Sequence, residues 1–268
     1  MTTPLVTIHW LKENKEDKNL IVLDASQEYD EGNTIKGAVH FDIKNTFSDT
    51  KSAYPNTFPS EKQFEEECRK LGITKKSKIV VFDSKGIFTS PRVWWMFTVM
   101  SHKTVAVLDG GLPAWNSAGL KSLEVNKPKE LPTSFKAHKN EAAIYHYEQI
   151  VDNCNSQECQ LIDARSPGRF NGTAPEPRAH LQSGHIKNAL NLPYTQVLSN
   201  DYYKPKEELE ELFRDLHIDK RPIIFSCGSG ITACIILLAF TLVSDQESYV
   251  YDGSWTEWAE RNKCYTQV

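Results

Sequence analysis

Arg221 to Phe240 reads Arg-Pro-Ile-Ile-Phe-Ser-Cys-Gly-Ser-Gly-Ile-Thr-Ala-Cys-Ile-Ile-Leu-Leu-Ala-Phe. Ile223, Ile224 and Phe225 form a short apolar run rich in β-branched residues. Ile231 to Val243 is an apolar segment of helical length, so Cys227 falls where a strand passes into a helix. Gly228 and Gly230 let the backbone curl there, and a tight turn opening a helix aims several N–H groups at one point. A thiolate held at such a point is stabilised and becomes a nucleophile without a neighbouring base. The competing reading, a small buried hydrophobe, is the ordinary fate of a free cysteine, but it has no need of a Gly-Ser-Gly turn. Cys234, inside the helix, takes that ordinary reading.

Composition narrows the class of protein. The 268 residues are 40% hydrophobic and 25% charged with a net charge of −4, as in a soluble globular protein with room for one large or two ordinary domains. No basic stripe suggests nucleic acid, and no apolar run is long enough to span a bilayer. Met1 to Trp10 lacks the layout of a secretory signal, so a cytoplasmic chain is expected, with mitochondria as the alternative. Six cysteines, Cys68, Cys154, Cys159, Cys227, Cys234 and Cys264, are too sparse for a disulfide scaffold. They offer no zinc spacing, and neither metal nor cofactor is expected. Cys154 and Cys159 read as solvent-exposed bystanders.

Outward from the opening stretch the chain alternates strands and helices. Leu20 to Asp24, Lys78 to Phe82 and Val105 to Leu108 read as strands, and Ile35 to Val39 as a turn into a short one. Ser60, capped reciprocally by Gln63, starts a helix that carries Phe64, Cys68 and Leu71 on one face. Ser90 to Val99 reads as helix, and Asp109-Gly110-Gly111 as a turn into a helix holding Trp115. The order then recurs. Leu161-Ile162-Asp163-Ala164 answers Val22-Leu23-Asp24-Ala25, Ile223 to Phe225 answers Ile79 to Val81, and Tyr251-Asp252-Gly253 with Trp258 answers Leu108-Asp109-Gly110 with Trp115. Two copies of one α/β domain, each a mostly parallel sheet flanked by helices, account for this order. The boundaries fall at 1–122, a linker over 123–142 that carries Pro128 and Pro132, and 143–268.

Function has gone to the second copy. Opposite Cys227 the first copy has Asp83 or Ser84, depending on a one-residue gap, and neither supplies a thiolate. The second copy alone carries the insertion Gly168 to Arg178, whose Arg169 and Arg178 among glycines and prolines read as a loop clamp for a carboxylate or other small anion.

With Ser90-Pro91-Arg92-Val93-Trp94-Trp95-Met96, Leu108-Asp109-Gly110-Gly111 and Tyr251-Asp252-Gly253-Ser254-Trp255, the chain from Leu20 to Trp258 resembles the two-domain rhodanese-like sulfurtransferases. The loop Gly228-Ser229-Gly230-Ile231-Thr232 resembles their 3-mercaptopyruvate type, since the thiosulfate type places Arg and Lys after the cysteine. The resemblance implies a Cys227 nucleophile, an assisting Ser229, and substrate binding by Arg169, Arg178, Gly228, Gly230, Ile231 and Thr232. It implies a small sulfur donor, 3-mercaptopyruvate or thiosulfate, and a thiol acceptor such as thioredoxin. The chain departs from the family at Lys44 and Asn56, where relatives often carry Asp and His in a relay to the serine. His185 reads as a structural hydrogen-bonder. A thiosulfate-preferring enzyme and a non-enzymatic persulfide carrier are the alternatives.

Overall fold

The computed structural model describes residues 3–121, 124–125 and 135–262. Cys264, Pro128 and Pro132 lie outside the described residues. The chain divides into two compact units. The first comprises Met1–Thr50, Phe58–Asn140 and Asn200–Tyr203; the second comprises Lys51–Thr57, Glu141–Ser199 and Lys204–Val268.

The first unit runs β1 (Leu5–Val6), α1 (Ile8–Asn14), β2 (Leu20–Asp24), β3 (Val39–His40), α2 (Glu61–Lys70), β4 (Lys78–Phe82), α3 (Ser90–Val99), β5 (Val105–Leu108) and α4 (Gly111–Ser117). Its five strands are parallel in the order β1-β5-β4-β2-β3. Every residue of β2 is buried, which is why it reads as a continuous apolar run rather than an alternation. α3 is buried at nine of its ten positions, so it shows no polar face.

The second unit contains β6 (Ile144–Tyr145), α5 (Tyr147–Ser156), β7 (Gln160–Asp163), α6 (Pro167–Phe170), β8 (Ala189–Asn191), β9 (Leu198–Ser199), α7 (Lys206–Asp215), β11 (Ile223–Ser226), α8 (Ala233–Thr241), β12 (Ser248–Tyr251) and α9 (Ser254–Arg261). The remaining short strand, β10, is Tyr202–Tyr203. The parallel order β6-β12-β11-β7-β8 repeats that of the first unit strand for strand. Corresponding tryptophans belong to both cores: Trp115 is grouped with Leu20, Val22 and Val80, and Trp258 with Leu161 and Ile224.

Three local expectations are corrected. The helix after Cys227 spans Ala233–Thr241 rather than Ile231 to Val243, because 228–231 bend sharply before it begins. The reciprocal cap at Ser60 is only half made: Ser60 Oγ accepts from the N–H of Gln63. The Gln63 side chain turns instead to the carbonyls of Thr46 and Ser48. Cys159 is buried rather than exposed, with its sulfur 3.4 Å from the Tyr145 hydroxyl.

Candidate active site

Strand register fixes which residues correspond in the two units. Asp24 faces Phe82 across β2 and β4, as Asp163 faces Ser226 across β7 and β11. The N–H of Ala25 donates to Phe82 O and that of Ala164 to Ser226 O, both at 2.8 Å. The next residues are Asp83 and Cys227. Their carbonyls accept from Leu112 N at 3.1 Å and Trp255 N at 2.9 Å respectively. Asp83, not Ser84, is therefore the counterpart of Cys227.

Cys227 is a free thiol, 1% exposed, at the end of β11. Its N–H donates to Ser254 Oγ at 3.3 Å, and that hydroxyl donates to Tyr251 O at 2.8 Å. The loop that follows is held from one side. Gly228 O accepts from Thr256 N at 3.0 Å and Thr256 Oγ1 at 2.6 Å. Ser229 O accepts from Asn56 Nδ2 at 3.2 Å, and Gly230 O from Cys234 Sγ at 3.4 Å. Ile231 O and Thr232 O accept from Cys234 N and Ile235 N.

Every carbonyl from Cys227 to Thr232 is thus taken up by a protein donor. The N–H groups of Gly228, Ser229, Ile231 and Thr232, by contrast, donate to no group among the described residues. Gly230, at φ +80°, reverses the chain within the loop, a conformation that costs glycine little. A turn whose carbonyls are occupied and four of whose N–H groups are open, leading into α8, favours negative charge.

Both predicted arginines reach this loop. Arg169 stands on the one-turn helix α6 rather than in a free loop. Its Nη2 lies so near Gly228 that a Cβ there would come within 2.9 Å of it. Arg178 Nη1 donates to Thr256 Oγ1 at 3.3 Å, the same hydroxyl that donates to Gly228 O. The two guanidinium groups are tied to one peptide, one over its Cα and the other through Thr256. Ile231 is buried, whereas Gly228, Ser229 and Thr232 are half-buried.

Sequence reasoning missed what aims Arg169. Glu176, 6% exposed, accepts from Arg169 Nε at 3.0 Å and Nη2 at 2.6 Å, and from Arg165 Nη1 at 2.8 Å. Arg165 is wholly buried, chelates Asp163 through Nε and Nη2, donates to Gly184 O at 2.7 Å and lies 4.1 Å from the Trp255 ring centroid. Burial opposes the charge on the Arg165 guanidinium, but Asp163 and Glu176 together outweigh it and raise the group above its ordinary value. A carboxylate seven residues after Arg169 within the inserted segment was the signal available. His185 stacks on Phe170 with centroids 4.2 Å apart, and its Nδ1 lies 3.0 Å from Phe170 O, the structural place expected of it. Among the described residues no group of His, Cys, Asp or Glu could hold a metal ion, and no helix is long and apolar enough to cross a membrane.

A model of the rhodanese-like domain matches the chain twice, over residues 7–118 and 146–261. The chain is 39% identical over 242 residues to human 3-mercaptopyruvate sulfurtransferase, covering 89% of this chain and 80% of that protein. It is 40% identical over 284 residues to rat thiosulfate sulfurtransferase, covering 98% and 94%. Among solved structures, SseA from Escherichia coli, described as a 3-mercaptopyruvate sulfotransferase, aligns with a TM-score of 0.82 at 32% identity, covering 95% of this chain and 99% of that one.

Proposed function

The chain belongs to the rhodanese-like family, with a copy of the domain in each half, and on that premise we propose that it is a sulfurtransferase whose donor is 3-mercaptopyruvate. Cys227 is the nucleophile. Its thiolate attacks the donor sulfur, an S–S bond forms as the donor's C–S bond breaks, and the electron pair leaves with the three-carbon fragment as the enolate of pyruvate. Cys227 is left as a persulfide, its outer sulfur facing the open N–H groups of Gly228, Ser229, Ile231 and Thr232. Arg169 and Arg178 hold the donor's carboxylate and keto oxygens. An acceptor thiolate, from thioredoxin or a small thiol, then takes the outer sulfur and returns the Cys227 thiolate. Cyanide does the same in an assay.

The observation that carries this reading is the contrast around Cys227, where six successive carbonyls are occupied and four neighbouring N–H groups are open. Relatives named for either donor match at similar identity, so the donor is argued from the loop. Thiosulfate is a compact dianion that gains from cationic side chains beside the sulfur, and 228–232 carry none. Mercaptopyruvate carries its charge away from the sulfur being transferred, which suits arginines set to one side.

Steady-state turnover of both donors with cyanide tests the reading, together with mass analysis of Cys227. A Cys227 heavier by one sulfur after donor addition and a kcat/KM higher for mercaptopyruvate are expected. Preference for thiosulfate would make the chain a rhodanese in the narrow sense. A single loading without turnover would make it a persulfide carrier.

A further inference from the structure

Asn56 belongs to the segment Lys51–Thr57, which is part of the same unit as Cys227. Its Nδ2 reaches two atoms of one residue, Ser229 O at 3.2 Å and Ser229 Oγ at 3.0 Å. The pair settles which end of the amide faces the loop. A backbone carbonyl can only accept, so the atom serving both contacts is the NH2 nitrogen and not the amide oxygen. The Ser229 hydroxyl is consequently the acceptor in this contact. A hydroxyl that accepts from Asn56 has its own proton pointed elsewhere.

Two features make this arrangement fixed. Asn56 sits at φ +59°, a left-handed conformation that Asn tolerates better than almost any other residue with a side chain. Its amide does not ionise, so the direction of the contact is the same at every pH at which the protein is folded. A carboxylate at this position would do the reverse, accepting from the hydroxyl and repelling the Ser229 carbonyl.

We infer that Asn56 is a positioning residue that fixes Ser229 as a hydrogen-bond donor to the oxygen of the departing enolate. The inference rests on the sulfur transfer proposed above. As the donor's C–S bond breaks, negative charge develops on the keto oxygen of the three-carbon fragment. The Ser229 O–H stabilises that charge without giving up its proton, and the enolate carbon takes its proton from solvent. Ser229 is then neither base nor acid, and no ionisable partner behind it is required.

The test uses the full chain with 3-mercaptopyruvate and cyanide. Asn56→Gly removes the amide without straining the left-handed backbone, and Asn56→Asp keeps the shape while inverting the polarity. Asn56→Gly is expected to lower kcat about tenfold with KM changed less than about twofold. In a Ser229→Ala background the same change should cost less than about twofold, because the hydroxyl it orients is gone. An equal loss in both backgrounds would overturn the inference, since Asn56 would then act through the Ser229 carbonyl alone.

The Asp variant gives a second readout, which also serves if the Gly variant does not fold. Its kcat relative to wild type should fall as pH rises through the carboxylate range and recover below it, and a ratio constant with pH overturns the inference. Cys227→Ala keeps the two levels apart. Turnover surviving that change defeats the sulfur-transfer reading itself, whereas loss of turnover leaves the Asn56 results bearing on positioning alone.

Discussion

Asp83 and Cys227 are each the first residue after the fourth strand of a sheet with one strand order, and each opens a turn into a buried helix. In the first unit the turn is closed on itself. Asp83 Oδ1 accepts from Lys85 N at 3.0 Å, and Oδ2 accepts from Phe88 N, Thr89 N, Ser90 N and Ser90 Oγ at 2.7–3.0 Å. The N–H of Ser84 goes to Ser26 Oγ at 2.9 Å. In the second unit the N–H groups of Gly228, Ser229, Ile231 and Thr232 donate to no group among the described residues, and the corresponding side chain is a thiol. The turn therefore behaves as an anion receptor in both copies. One copy fills it with a carboxylate from its own chain; on the proposed function, the other keeps it for a sulfur anion that is loaded and discharged.

Exchanging the two anions should give the greatest change in activity. Cys227→Asp should abolish turnover, a loss of at least about a thousandfold, while leaving the thermal midpoint unchanged or raised, because a carboxylate can satisfy the open N–H groups. A midpoint lowered as by any core substitution would show that the second turn is no receptor. Asp83→Ala should do the opposite. It leaves buried donors unsatisfied, costing about 2–4 kcal/mol, and lowers the midpoint by roughly 5–10 °C in calorimetry or circular dichroism. A wild-type midpoint would deny the carboxylate its role.

A second difference between the copies sits one strand away. Ser26 N donates to Asp24 Oδ1 as Arg165 N donates to Asp163 Oδ1, so a serine in one unit stands where the other has a buried arginine. That arginine shares Glu176 with Arg169. Glu176→Gln keeps the shape but halves the grip on two cations, and should raise KM for mercaptopyruvate about tenfold with a smaller change in kcat. Glu176→Ala should cost about 3 kcal/mol by urea titration, because Arg165 is wholly buried and left with one carboxylate partner. An unchanged KM in the Gln variant would mean that Arg169 is aimed by something other than Glu176.

What could be read from the sequence follows from periodicity and chain order. β2, β4, β5 and β11 are short apolar runs bounded by polar residues, and the repeat of Val22 to Ala25 in Leu161 to Ala164 established two copies before any coordinate. The edge strands β1 and β6 escaped notice because two residues carry no period. Cys227, Arg169 and Arg178 announced themselves by residue type and glycine context. Glu176 and Arg165 did not, although they lie within eleven residues of each other, since residue type alone does not mark a buried ion pair; Asn56 stood out only against the family pattern, its partner Ser229 lying 173 residues away. The choice between Asp83 and Ser84 needed strand register, a property of the sheet rather than of the string.

The turn after the last strand of each sheet also differs between the copies, with a slighter consequence. Asp109 N donates to Val6 O as Asp252 N donates to Tyr145 O, so these two aspartates correspond as well. Asp109 Oδ1 accepts from Tyr203 N at 3.0 Å, and the Tyr202 ring lies so close to Gly110 that a Cβ there would come within 2.5 Å of it. Burial lifts Asp109 from 3.8 to about 6, with the N–H groups of Tyr203 and Gly110 only partly opposing it. Its folded pKa lies above the unfolded one, so between about pH 4 and 6 the unfolded chain loses this proton while the folded chain keeps it. Stability from this group therefore falls as pH rises through that window and is level above it, the reverse of a salt-bridged carboxylate. Asp109→Asn removes the titration, so the variant's urea midpoint relative to wild type should rise from pH 4 to pH 6 and then stay constant. A difference independent of pH would mean that the carboxylate at the Tyr203 N–H titrates no differently in the folded and unfolded chains.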